Sequence, residues 1–96
     1  MTTLSTHVLD TARGMPAAGI AVALYRDDQL VANGKTGEDG RIASLSDALE
    51  PGLYRIVFDC PGHFFERVAL DVRLGSGHTH VPLLLAPFGA TTYRGS

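Results

Sequence analysis

The chain has 96 residues, 45% of them hydrophobic, with eight Lys and Arg against ten Asp and Glu and a formal net charge of −2. That length fits one domain, residues 1–96, with a modest core that buries roughly 64% of the extended-chain surface. The apolar content argues against intrinsic disorder, and without a basic excess to displace phosphate counterions nucleic-acid binding is not expected.

In chain order, the pattern is one of short strands and turn signals. Leu4–Asp10 opens with a mixed apolar and polar strand. Ile20–Arg26 is an apolar run of strand length, Arg26–Gln29 a tight polar turn, and Leu30–Thr36 the returning strand of a hairpin. Glu38-Asp39-Gly40 makes the next turn, because Asp-Gly suits backbone with positive φ. Arg41–Leu45 is a short strand, and Ser46–Glu50 is expected to form one helical turn that Pro51-Gly52 stops. Leu53–Asp59 is a strand with Tyr54, Ile56 and Phe58 on one face. After a break at Cys60–His63, Val68, Leu70, Val72 and Leu74 alternate with Arg67, Ala69, Asp71 and Arg73, the clearest period of two in the chain. Gly75–Gly77 turns the chain into His78–Ala86, where Pro82 lacks an N–H and marks an edge, a bulge or a bend. Seven or eight such strands favour an antiparallel sandwich, and the lack of interleaved helical patterns disfavours a parallel βαβ sheet.

No run nears the roughly 18 apolar residues of a membrane span, and no basic-then-apolar opening reads as a signal peptide. The lone cysteine, Cys60, fits a reducing, cytoplasmic compartment.

Histidine titrates near neutrality and is the residue type to follow for chemistry. His7 lies in the opening strand, where an ordinary hydrogen-bonded histidine is the commoner reading. His78 and His80, two apart on a strand, share a face; such a pair chelates a metal when a third ligand joins, but a bare His-x-His is usually two surface histidines. His63 reads as a loop residue. Arg41, after the Asp39-Gly40 turn, is either a solvated arginine or a permanent positive charge for binding and charge stabilisation. The tail Tyr93-Arg94-Gly95-Ser96 is by default a frayed end. No phosphate loop, nucleophile elbow or His-Glu-x-x-His helix is present. Taken singly, these residues identify no activity.

Taken together, Leu4-Ser5-Thr6-His7-Val8-Leu9-Asp10-Thr11, Thr36-Gly37-Glu38-Asp39-Gly40-Arg41, His78-Thr79-His80-Val81-Pro82-Leu83-Leu84-Leu85 and the terminal Tyr93-Arg94-Gly95-Ser96 resemble the 5-hydroxyisourate hydrolase family, the transthyretin-related enzymes of urate breakdown. The resemblance runs over nearly the whole chain, and the terminal tetrapeptide is its most specific element. It implies an all-β, transthyretin-like (prealbumin-like) antiparallel β-sandwich of two four-stranded sheets. It implies a homotetramer, a dimer of dimers with active sites at the dimer–dimer interface, acting on the small molecule 5-hydroxyisourate without cofactor or metal. It assigns catalysis to His7, Arg41 and His80, and substrate binding to Tyr93, Arg94, Gly95 and Ser96. The reaction implied is hydrolytic ring opening to 2-oxo-4-hydroxy-4-carboxy-5-ureidoimidazoline. The alternative is a transthyretin-like carrier of a small ligand without hydrolase activity; His7, where the carriers have lysine, points away from it. A second alternative is an immunoglobulin-type interaction sandwich, in which His7, Arg41 and His80 need not cluster. The chain departs from the family pattern at Gly37, Ala86 and Glu66, and above all at Cys60–His63, too short for the usual helix, which is expected to be lost.

Overall fold

A computed structural model describes residues 1–95, Asp47 by its backbone alone. The strands are β1 (Thr2–Asp10), β2 (Met15–Pro16), β3 (Ala21–Arg26), β4 (Gln29–Lys35), β5 (Arg41–Leu49), β6 (Gly52–Asp59), β7 (Arg67–Leu74), β8 (Gly77–Leu85) and β9 (Ala90–Thr92). One sheet has the order β4-β3-β6-β7, antiparallel throughout. The other runs β1-β8-β9, with β1 parallel to β8 and its free edge shared by β5 and the two-residue β2. The expected two four-stranded sheets are therefore present, with β2 as a small addition. Among the described residues none is helical, and residues 61–66 are all turns and bends, so the usual family helix is absent, as expected.

Alternation decides which side chains meet between the sheets. Val22 and Leu24 of β3 and Tyr54, Ile56 and Phe58 of β6 face Leu4 and Val8 of β1 and Val81, Leu83 and Leu85 of β8, all buried. Two threonines share the dry face of β1, and each hydroxyl donates to a backbone carbonyl, Thr2 to Gly75 and Thr6 to Val81, so neither is an unpaired buried polar group. The β3–β4 hairpin turns on Asp27 and Asp28, both at positive φ (51° and 65°), the geometry that matches strand twist in a two-residue turn.

Two expectations need correction. Ser46–Leu49 is not a helical turn; β5 continues through it to Leu49. Pairing with β1, Ser46 against Leu4 and Leu49 against Thr2, satisfies the backbone and buries Leu45 and Leu49, which outweighs a weak local helix preference. Pro82 lies in an interior strand rather than at an edge. Its missing N–H falls on the side of the C-terminal segment, where pairing lapses at Tyr93 and Arg94 and resumes as an isolated bridge between His80 and Gly95. The Thr92 hydroxyl donates to the Pro82 carbonyl at 2.8 Å and fills part of that gap.

Candidate active site

β1 lies between β5 and β8, and its alternate residues Thr3, Ser5 and His7 point to the outer face of the sheet. The register sets His7 against Arg41 of β5 and Ser5 against His80 of β8. Three segments far apart in sequence thus place His7, Arg41 and His80 on one face, against the expectation of a sandwich in which they stay apart.

Each is held by its own local structure. Arg41 follows a turn closed by Gly40 N–H donating to the Gly37 carbonyl at 2.9 Å, while Asp39 Oδ1 accepts from the Arg41 N–H at 3.0 Å. Gly40 has φ +76°, and a Cβ there would collide with the Val8 carbonyl oxygen and crowd Pro16, so glycine is needed twice over. The Gly40 carbonyl accepts from Val8 N–H at 2.8 Å, docking the turn against β1. Thr36, buried at the head of this motif, donates to the Ala17 carbonyl at 2.7 Å and accepts from Ile20 N–H at 2.9 Å.

His7 Nε2 lies 3.0 Å from the Asp39 carbonyl oxygen. A carbonyl only accepts, so this nitrogen carries a proton and neutral His7 has its lone pair on Nδ1. His80 Nδ1 lies 2.8 Å from Ser5 Oγ. Partial burial first, then the positive charge of Arg41 and electrostatic coupling to the His7 and His78 rings, lower the His80 pKa below the ordinary histidine value, with a small opposing contribution from Ser5. His80 therefore stays neutral, and able to accept a proton, further into acid than a free histidine.

The C-terminal segment approaches this group from the β8 side. Gly95 N–H donates to the His80 carbonyl at 2.7 Å, and a Cβ on Gly95 would sit 2.7 Å from His80 Cδ2. Glycine lets the tail lie against the imidazole. Tyr93 and Arg94 line a cleft of about 250 Å³ at the rim of the sandwich with Leu70, Val72, Thr79 and Val81. Within one chain they stand beside the histidine face rather than on it. Ser96 lies outside the described residues.

Residue-by-residue reading passed over Ser5 and Thr3, and weighed His78 only as a surface histidine or half of a metal-chelating pair. Ser5 Oγ bridges His80 Nδ1 and His78 Nε2, each at 2.8 Å, and His78 Nδ1 is 2.6 Å from Thr3 Oγ1. The available signal was the alternation Thr3-Ser5-His7, three polar side chains on one face of a strand whose other face is dry. Both His78 nitrogens are engaged with hydroxyls, and among the described residues no three His, Cys, Asp or Glu side chains group as a metal site.

The HIUase/Transthyretin family model matches residues 4–95. A probable 5-hydroxyisourate hydrolase of Schizosaccharomyces pombe is 38% identical over 112 aligned positions, covering 97% of this chain and 90% of the relative. Among solved structures, 5-hydroxyisourate hydrolase of Klebsiella pneumoniae superposes with a TM-score of 0.92 at 42% identity, covering all of both chains. Sea bream transthyretin in complex with thyroxine superposes with 0.87 at 27% identity, covering 96% of this chain and 93% of that one.

Proposed function

The chain belongs to the HIUase/Transthyretin family, and from that membership we propose that it hydrolyses 5-hydroxyisourate in urate degradation. The observation that carries the reading is the convergence of His7, Arg41 and His80 on one sheet face. Higher identity to the hydrolases than to the carrier (42% against 27%) favours it over ligand transport.

The chemistry follows from the protonation states. Water attacks a carbonyl of the six-membered ring; the oxygen bears negative charge in the transition state, and the adjacent C–N bond then breaks. One product end is a carboxylate, the other a ureido nitrogen that takes up a proton. Neutral His80 accepts the proton of the attacking water at Nε2, the ring nitrogen that Ser5 does not engage. His7, fixed by Asp39, orients the water through Nδ1. Arg41, permanently charged, binds the substrate and stabilises the developing oxyanion. None of these roles calls for a cofactor or metal.

We read residues 1–96 as a single hydrolase domain that works as a homotetramer, a dimer of dimers. The histidine face is an open sheet surface in one chain, and association would roof it at the dimer–dimer interface. Tyr93, Arg94, Gly95 and Ser96 bind substrate in the closed site. Among the described residues no helix is long and apolar enough to cross a membrane, and the free, buried Cys60 thiol supports a reducing, cytoplasmic compartment.

The test is product analysis by carbon-13 NMR with 5-hydroxyisourate made in situ. The ring-opened carboxylate is expected to grow in faster with the protein than without it. Stoichiometric ligand binding with no faster ring opening would favour the carrier.

A further inference from the structure

The hydrogen bonds around Ser5 have one direction consistent with His80 acting as a base. Ser5 is buried, and among the described residues its hydroxyl has no partner besides the two imidazole nitrogens at 2.8 Å, so its one proton is satisfied only by donating to one of them while its oxygen accepts from the other. A lone pair on His80 Nε2 requires the proton on Nδ1, which Ser5 then accepts. Ser5 must donate to His78 Nε2, and neutral His78 therefore carries its proton on Nδ1, toward Thr3 Oγ1 at 2.6 Å. Ser5 is buried, whereas His78 is exposed.

We propose that Ser5 and His78 are positioning residues that form a reversible proton relay behind His80. Ser5 holds His80 in its Nδ1–H tautomer. When Nε2 takes a proton from the attacking water, the Nδ1–H bond breaks and that proton passes to Ser5 Oγ. The Ser5 proton moves in turn to His78 Nε2. His80 is left neutral with its proton on Nε2, and the positive charge rests on the exposed His78. The charge thereby leaves a site where partial burial, Arg41 from β5 and His7 from β1 disfavour it for a less buried one two residues along β8, opposite Thr3 and further from Arg41 and His7 in the register. As the ring C–N bond breaks, His80 Nε2 gives its proton to the leaving nitrogen. The chain runs back, from His78 through Ser5 to His80 Nδ1, and the starting state is restored. No further reactant is consumed.

This inference rests on the hydrolase reading, so the first measurement does not need turnover. Nitrogen-15 NMR of the histidine-labelled full chain is expected to show neutral His80 with a protonated Nδ1 and an unprotonated Nε2. The same spectrum of Ser5→Ala is expected to shift toward the Nε2–H form. In the kinetic arm, His78→Gln, at an exposed position, is expected to lower kcat about tenfold with little change in KM, part of the roughly 10²–10⁴ that proton transfer contributes. Added imidazole is expected to restore much of that rate, which a merely structural role for His78 would not allow. Ser5→Thr, which keeps the hydroxyl, is expected to retain more rate than Ser5→Ala. Neutral His80 protonated on Nε2 in the wild type, or His78→Gln turning over at the wild-type kcat, would overturn the relay. Absence of hydrolysis by the wild type, with the His80 tautomer as expected, would instead overturn the hydrolase reading and leave the hydrogen-bond chain standing.

Discussion

Gly95→Ala places one methyl group against the imidazole of His80. The added Cβ would lie 2.7 Å from His80 Cδ2 and 3.2 Å from both Cβ and Cγ. Carbon atoms pack best at about 3.5–4.0 Å, so the two groups must part by roughly 0.8 Å. The His80 backbone is held on one side by β1, in register with Ser5, and resists that movement; on the other side its only partner is the bridge to Gly95 itself. Either the ring swings, breaking its 2.8 Å bond to Ser5, or the tail lifts, breaking the Gly95 N–H bond to the His80 carbonyl at 2.7 Å. Misplacement of a reacting group by about 1 Å can cost about 10²-fold, so kcat/KM should fall between tenfold and about a hundredfold. Gly95 lies outside the hydrophobic core, so thermal stability should change by less than about 0.5 kcal/mol. The assay is the initial rate of 5-hydroxyisourate decay beside a circular-dichroism melt. A variant with wild-type kcat/KM and an unchanged melt would refute the argument that contact between the tail and His80 is part of the site.

Because the His80 pKa is lowered, the acid limb of kcat/KM should fall below 6.5, and Arg41→Met, which removes one of the depressing charges, should move it upward while reducing the rate; a pH-rate profile checks both. The same shift has a stability consequence. Unfolded His80 takes up its proton before folded His80 does, so this residue's contribution to stability should weaken as pH falls through about 6.5, measurable as a pH-dependent loss in urea melts that His80→Asn abolishes. Gly40→Ala forces a side chain into positive φ and against the Val8 carbonyl; it should cost more than about 2 kcal/mol, read from urea melts, and lower activity through displacement of Arg41. The Cys60 thiol is pushed up by burial and then by Asp59, so native protein should react slowly with a thiol reagent at neutral pH and quickly once unfolded.

Much of the fold was legible because so many strands have one dry face. Val68 to Leu74 and Tyr54 to Phe58 announce their periods of two, and Asp27-Asp28 and Asp39-Gly40 announce their turns. Ser46–Leu49 was misread because its strand character is supplied by β1, more than 40 positions away in the chain, and local preference does not record that partner. His7, Arg41 and His80 stood out through the resemblance, not through their own surroundings. Thr3 and Ser5 were passed over, and the hydrogen-bonded place of His78 was not foreseen, for a physical reason. Their hydrogen bonds exist only when β1 lies parallel to β8 in the register Thr3 to His78 and Ser5 to His80, and no spacing within either segment encodes that register. The placing of Tyr93 and Arg94 at the sandwich rim was likewise invisible, since it follows from the lapse in pairing opposite Pro82.

The most direct test follows the absorbance of 5-hydroxyisourate, generated by urate oxidase, in the presence of wild-type protein and of His80→Asn. If the sheet face built by His7, Arg41 and His80 opens the ring, the wild type will accelerate decay well beyond the spontaneous rate, and His80→Asn, folded to the same melt, will lose most of that acceleration. Decay at the spontaneous rate with the wild type, or full acceleration by His80→Asn, would contradict it.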